Sequence, residues 1–316
     1  MRSIALVALL ACLPLAAFAQ DKRSRPNSSA GAVPDVSHAQ VVVVRGSADH
    51  MEQVLQRAGV NFVVVEPAQL AQVALTGQQV LMVNCTGILP AEGEERVRRF
   101  VRAGGFLYTT DHTVKNLVEK IFPGYIRFNG KTSNEELFPM KTAGDRGLLK
   151  HVADGGTSRW QLAGGGYLFD VVDPHKVEVL MTSDEVGRRY GSSALGVRFR
   201  VDDGQVIHVT GHFYTQPGQR PDVASAGRAF EQLSANLVDE KKADQSRIDG
   251  LYNVAPRRSV QLQASPTAAA PAVQSAAGAA VQTESNRKVR VLEKKGDYAR
   301  VRDVEGNEGW VSQDAL

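Results

Sequence analysis

The sequence predicts an α/β fold, a mostly parallel sheet between two helical layers, with a small all-β barrel at the C-terminal end. Three observations predict it. From residue 40 to 243, β-branched runs alternate with segments of helical period, the pattern of a parallel sheet covered on both faces. From residue 258 onward, short strands cut by Gly turns take over, the pattern of a small antiparallel barrel. The chain has 316 residues, more than one typical domain needs.

The first segment, residues 1–19, reads as a signal peptide. Arg2 supplies the positive start, an apolar run begins at Ile4 and reaches Phe18, and Ala17-Phe18-Ala19 has the A-x-A form of a cleavage site. The run is too short to span a bilayer and is followed by Gln20-Asp21-Lys22-Arg23, so no transmembrane span is expected. A second possibility is Leu9-Leu10-Ala11-Cys12, which resembles a bacterial lipoprotein box with Cys12 as the lipidated residue. The expected location is periplasmic or secreted. Removal of the signal leaves Cys85 as the only thiol, either buried or chemically used. Residues 20–39, rich in Ser, Pro, Arg and Ala without periodicity, are expected to be a flexible leader.

Order is expected from Gln40. Val41 to Val44 is a continuous β-branched run, a strand buried on both faces. Met51, Val54, Leu55 and Ala58 follow at helical spacing, and Gly59 is placed to end that helix. Phe62 to Val65 and Val80 to Val83 are the next strands. A helix opening near Pro90 carries Glu94–Arg98 and Glu95–Arg99 on its wet side and Val97, Phe100 and Val101 on its apolar stripe. Gly104-Gly105 ends it, and Phe106 to Thr110 is the fourth strand. Asp111 is a candidate cap for a helix whose Val114, Leu117, Val118 and Ile121 share one face.

Lys131 to Gly166 has no clean period and reads as an insertion. Val177 to Met181 resumes the sheet, and Val197, Phe199 and Val201 alternate with Arg198 and Arg200 as a half-exposed strand. A hairpin turn at Asp203-Gly204 leads into Val206 to Thr210. The last helix uses Phe230, Leu233 and Leu237, with Asp222 as its expected cap. Residues 244–257 are expected to link it to the barrel at 258–316, whose strands are Val289 to Leu292, Tyr298 to Arg302 and Gly309 to Val311.

Lys and Arg number 37 against 34 Asp and Glu, a net charge of +3 that argues against a nucleic-acid partner. The composition is globular, and two cysteines exclude a disulfide scaffold or a four-Cys zinc site. No cofactor or metal is expected. Sheets of this kind bind ligands beyond the carboxyl ends of their strands, which is where Gly46-Ser47, Cys85-Thr86-Gly87, Asp111-His112 and Gly211-His212 fall. One carboxylate and two imidazoles there could act as acid and base or hold a metal. The plainer alternative makes Asp111 a helix cap, His112 solvated and Cys85 a small buried hydrophobe. His151 and His175 sit in polar turns, expected exposed. Gly164-Gly165-Gly166 lacks the Lys-Ser/Thr of a phosphate loop and reads as a turn.

Two resemblances extend this reading. Val289-Arg290-Val291-Leu292-Glu293, Gly296-Asp297-Tyr298-Ala299-Arg300-Val301 and Gly306-Asn307-Glu308-Gly309-Trp310-Val311 resemble the bacterial SH3 (SH3b) family, with Leu262 and Pro266 as weaker upstream matches. That resemblance implies an SH3-like barrel contacting cell-wall peptide through Tyr298 and Trp310; the alternative is that the two aromatics are simply the barrel's core and rim. Residues 40–243 resemble the class I glutamine amidotransferase-like superfamily, including its ThuA-like branch. The matching stretches are Val83 to Gly87, Arg99 to Leu107 and Gly204 to His212. The resemblance implies a flavodoxin-like three-layer sandwich with a Cys–His pair. Here Cys85 falls in the oxyanion-type loop, the nucleophile turn reads Thr109-Thr110-Asp111-His112, and Phe213-Tyr214 follows His212 where the family has Pro-Glu.

A histidine without its thiolate cannot begin acyl transfer. The expected function is therefore a non-catalytic envelope protein: the barrel binds cell-wall peptide or an envelope protein, and Gly46, Ser47, Thr86, Gly87 and Gly211 help hold a small ligand. The alternative is a hydrolase or amidase of wall-derived or sugar substrates, acting through Cys85, or through Asp111, His112 and His212. A third reading makes the barrel a packing module for the α/β domain.

Overall fold

A β-branched run with no polar interruption has to be covered on both faces, and Val41 to Val44 is covered so. Val41 and Val43 join one core layer, Val42 and Val44 the other. The structure is a computed structural model describing residues 32–153, 157–212, 221–275 and 278–316. The expected signal peptide, Cys12 and leader residues 20–31 lie outside the described residues, as do Phe213 and Tyr214. The end of the leader departs from expectation: Val36 and Ala39 are buried, and their carbonyls accept from the Gln79 side chain at 2.7 and 3.1 Å.

The first half runs β1 (Val41–Val44), α1 (Met51–Arg57), β2 (Phe62–Val65), β3 (Val80–Val83), α2 (Ala91–Arg102) and β4 (Phe106–Thr110). A single π-helical turn, Val114–Val118, leads into α3 (Glu119–Ile121). The supposed insertion, 131–166, holds the end of β5 (Ile126–Thr132) and two full strands, β6 (Glu136–Thr142) and β7 (Thr157–Leu162), and β8 (Tyr167–Val171) follows it directly. Then come β9 (Val177–Thr182), α4 (Asp184–Tyr190), β10 (Ala194–Val201), β11 (Gly204–Val209) and α5 (Pro221–Leu251).

The central sheet has the order β2-β1-β3-β4-β11-β10-β9-β6-β7. The five strands from β2 to β11 run parallel, and the remaining four pair antiparallel. β5 and β8 pair separately. One core layer packs α1 and α5 against Val41, Met82, Tyr108 and Ile207; the other packs α2 against Val42, Leu81, Leu107 and Val206. No helix among the described residues is long and apolar enough to cross a membrane.

Several local expectations are corrected. The Glu94–Arg98 and Glu95–Arg99 pairs do not form: Arg98 meets Glu95, Glu94 meets Lys120, and Arg99 reaches Asn307 at 2.5 Å. Side chains on a wet face choose among partners of nearly equal energy, so spacing alone does not select one. Asp111 does not cap its own helix, because its carboxylate is turned across the site (below). Asp222 lies inside α5 rather than before it, and α5 runs on to Leu251 through the expected linker. The charged stretch there is helical because its cations have partners: Lys241 donates to the Gly104 carbonyl at 2.9 Å, and Arg247 meets Asp244 at 2.6 Å.

Beyond α5 lies a small antiparallel β region with its own core of Leu262, Val289, Ala299, Val301 and Val311. It comprises β12 (Val260–Gln261), β13 (Gln282–Thr283), β14 (Val289–Lys295), β15 (Tyr298–Asp303) and β16 (Glu308–Ser312), paired β12-β13 and β14-β15-β16. Single bridges Gln263–Trp310 and Val254–Val289 tie the pieces together. This region packs on the α/β part. Arg96 donates to the Glu305 carbonyl at 3.1 Å, Gly77 N–H to the Val304 carbonyl at 3.2 Å, and Arg302 to the Arg102 carbonyl at 2.7 Å.

Gly306 rests directly on the Arg99 carbonyl with φ +81°, leaving no room for a side chain. Gly306→Ala is therefore expected to loosen the docking of the β region, seen as faster amide exchange in β14–β16 with β1–β4 unchanged. Equal protection in the variant would contradict it.

Candidate functional site

The carboxyl ends of β1, β3, β4 and β11 meet at one end of the sheet, stitched by short loops. After β1, the Ser47 and Ala48 N–H groups donate to the Cys85 carbonyl at 3.0 and 3.2 Å. Gly46 packs so closely on that carbonyl that a Cβ would overlap it. Asn84, after β3, accepts from Met51 N–H at 3.4 Å and donates to Glu52 at 3.0 Å, which ties β3 to α1. Asp49 accepts from the Thr110 hydroxyl at 2.6 Å and from His50 N–H at 2.9 Å.

Between β1 and β3 the strand order reverses, since β2 lies on one side of β1 and β3 on the other. Open parallel sheets leave a crevice at such a point. Here it is a groove of about 250 Å³ whose lining includes Arg45, Gly46, Ser47, Asn84, Thr86 and Gly87. Ile88 stands on its rim 67% exposed, and Arg45 meets Glu66 at 2.6 Å beside it. Four of the five expected ligand-holding α/β residues line this groove. Gly211 does not: it sits at φ +124° against Trp160 and the Gln161 carbonyl of β7, a packing position.

Asp111, His112 and His212 form a second cluster. Asp111 directly follows β4 with φ +50°, an unusual backbone for a residue with a Cβ and one found at functional turns. Its carboxylate is fully buried; Oδ1 accepts from Tyr167 N–H at 2.6 Å. Oδ2 lies 3.3 Å from His212 Nε2, out of line for a hydrogen bond, and neither atom has a hydrogen-bond partner among the described residues. Burial pushes the Asp111 carboxyl above the ordinary range, opposed by His212, the Tyr167 N–H and His112.

His112 Nε2 lies 2.9 Å from the Gly165 carbonyl, so that nitrogen carries the proton, and its ring tilts over Tyr167 at 4.0 Å. The Gly164–Gly166 turn covers the carboxylate: a Cβ on Gly166 would stand 2.9 Å from Asp111 Oδ2 and 2.8 Å from Ser133 Oγ. The three glycines thus form a turn, as expected, and the smallness of Gly166 lets it lie on Asp111. His151 and His175 are exposed, as expected.

Cys85 is fully buried, and burial, then Asp111 and Asp49, push its thiol up to about 12 against the His112 N–H. A thiol so placed supplies little thiolate near neutrality. Iodoacetamide at neutral pH is expected to leave Cys85 unlabelled in the native protein and to label it fully in denaturant, read by peptide mass. Rapid native labelling would contradict this assignment.

Arg198, weighed as an anion patch with Arg200, meets Glu178 at 2.7 Å and Glu240 at 2.6 Å. A groove of about 570 Å³ beside it is lined by these paired side chains, away from the carboxyl ends of β1, β3 and β4. Among the described residues, no group of three or more His, Cys, Asp or Glu could hold a metal ion. In the C-terminal region, Ala299, Val301 and Val311 face the small core, while Tyr298 and Trp310 are half-buried on the other face. They do not fill the core.

Sequence reasoning missed Tyr167, Asp49 and Thr110 as parts of the site. Tyr167 comes from β8, outside the central sheet, and no local pattern announces its reach. Asp49 does carry a signal, lying between a buried strand and a helix, the position from which a carboxylate can face a crevice.

No protein-family model matches this chain, and no curated protein is similar to it. Solved structures of similar outline exist at low identity. A cytoplasmic protein, STM3548, from Salmonella typhimurium has 11% identity and a TM-score of 0.44, over 63% of this chain and 98% of that one. A ThuA-like protein from Parabacteroides merdae has 12% identity and a TM-score of 0.45, over 63% and 88%. A β-galactosidase from Bacillus circulans sp. alkalophilus has 15% identity and a TM-score of 0.44, and the match spans 84% of this chain but 35% of the enzyme.

Proposed function

We propose that this chain is an exported envelope protein: a flavodoxin-like, amidotransferase-like α/β domain binds a small ligand at its strand ends, and an SH3b-like barrel contacts cell-wall peptide. In this reading thiol-based amidotransferase chemistry is lost. The observation that carries it is the turn after β4, which holds a buried carboxylate, Asp111, where acyl transfer needs a thiolate, while the one described thiol is sealed. A formed groove at the β1/β3 reversal remains for binding. Export rests on the signal-like residues 1–19.

The barrel's part is best tested with point variants, because deletion of 258–316 would strip partners from Asp203 and Arg99. Trp310→Ala and Tyr298→Ala are each expected to lower retention on purified cell walls by roughly tenfold, the effect of losing one aromatic anchor. Undiminished retention of both would remove the barrel from wall binding.

A hydrolase remains the second reading, favoured by the positive φ at Asp111 and its approach to His212. It requires Asp111→Asn and His212→Gln to abolish turnover on a panel of wall fragments. Unchanged turnover in both excludes it.

A further inference from the structure

The Asp111–His212 pair poses a problem of satisfaction. Asp111 Oδ2 and His212 Nε2 are buried 3.3 Å apart without being aligned, so each is left without a hydrogen bond among the described residues. Buried polar atoms in folded proteins are paired, and an orphan marks a place that something else completes. His112 does not complete it, because its Nε2 is committed to the Gly165 carbonyl. Among the described residues, the ion-pair partners of the Asp111 carboxylate are imidazoles only.

The surroundings favour positive charge. Asp49 and Asp111 are both fully buried, and both act on the same Cys85 thiol. The wall beside Asp111 is aromatic: Tyr167 stacks on Phe128 at 4.2 Å and under His112 at 4.0 Å. A cation already lies against that wall, with Lys115 Nζ 5.3 Å from the Phe128 ring and 5.9 Å from the Tyr167 ring. Two acceptors a short step apart, in a negative field beside aromatic faces, suit a group with several N–H donors and a positive charge.

We propose that Asp111 Oδ2 and His212 Nε2 together bind the protonated primary amine of a small ligand, admitted when the Gly164–Gly166 turn lifts. This rests on the reading of the α/β domain as a ligand-binding unit and names the class of ligand. The amine donates one N–H to the Asp111 carboxylate and one to His212 Nε2. The turn then closes by restoring the Gly165–His112 and Tyr167–Asp111 hydrogen bonds.

The test uses the full chain and two isosteric probes: glycinamide, which carries the ammonium, and glycolamide, which carries a hydroxyl in its place. Imidazole signals of His112 and His212 are followed by NMR during titration. Glycinamide is expected to shift them saturably and to bind at least roughly tenfold more tightly than glycolamide. Asp111→Asn is expected to erase that preference, while exposed Glu95→Gln keeps it.

Equal binding of the two probes, no saturable shift with either, or a preference that survives Asp111→Asn overturns the proposal. Should Asp111→Asn fail to melt cooperatively, His212→Gln is read by the same preference. Shifts confined to Ser47 and Thr86 amides would leave ligand binding in the groove standing and the amine site refuted.

Discussion

Arg302→Met is expected to destabilise the protein by about 3 kcal/mol and to uncouple its C-terminal β region from the α/β part. Arg302 is 4% exposed, and its guanidinium reaches Glu308 at 2.8 Å, the Arg102 carbonyl at 2.7 Å, and Asp203 and Asp202 at 3.1 Å each. Loss of one partner from such a cluster leaves buried acceptors short of donors, which costs more than the pair contributes net. The loss is moderated because Arg290 still meets Asp203, and Arg102 still meets Asp202 at 2.6 Å and Glu308 at 3.0 Å. That is why the figure sits near the low end for a broken buried ion pair.

The two tryptophans give the measurement. Trp160 lies in the α/β part and Trp310 on β16. In single-tryptophan backgrounds, urea transitions at the two positions are expected to coincide in the parent. In Arg302→Met the Trp310 transition should come first. Coincident, unshifted transitions would mean that the Arg302 cluster contributes nothing to the docking.

What could be read in the sequence follows from how local each cause is. β1, β3 and β4 were legible because burial on both faces leaves unbroken runs such as Val80 to Val83, which no amphipathic helix shows. The convergence of Asp111, His112 and His212 was legible because parallel strands must all end at the same side of the sheet. β6 was missed: Phe138 and Met140 do alternate with exposed neighbours, but Pro139 between them argues against a strand. It is tolerated because Pro139 faces β7 only, while the pairing of β6 with β9 starts at Lys141.

The cover over Asp111 was not legible at all. It depends on Tyr167 and Gly165 arriving from β8 and its preceding turn, a contact across 56 residues for the Tyr167–Asp111 bond. The docking of the C-terminal region was equally hidden, since Arg302 and Asp203 lie 99 residues apart and either reads as a surface charge. These contacts give a physical basis to the third reading, in which the C-terminal region serves only as a packing module for the α/β domain.

His208 should make the protein acid-sensitive, and the sign follows from its surroundings. It lies on β11, fully buried, with Nδ1 3.0 Å from the Thr109 hydroxyl and its ring edge-on to Phe169 at 5.0 Å. Nε2 has no partner among the described residues, and burial pushes the imidazole down to about 3. The folded state therefore keeps His208 neutral while the unfolded chain protonates it below the ordinary histidine value. Between that value and about 3 the unfolded state holds the extra proton, so stability falls as pH falls, by about 1 kcal/mol per pH unit.

By pH 4 the loss sums to roughly 3 kcal/mol. Asp111 and Asp303, whose carboxyls burial raises, act in the opposite direction, because the folded state takes their protons first as pH falls. Parent and variant share those terms, so their difference isolates the histidine. His208→Gln, neutral throughout, is expected to flatten urea-derived stability between pH 6.5 and 4 by that amount, whatever its repacking cost at pH 8. Exposed His175→Gln should leave the slope unchanged. Parallel pH profiles for the parent and His208→Gln would show that the buried imidazole titrates alike in both states.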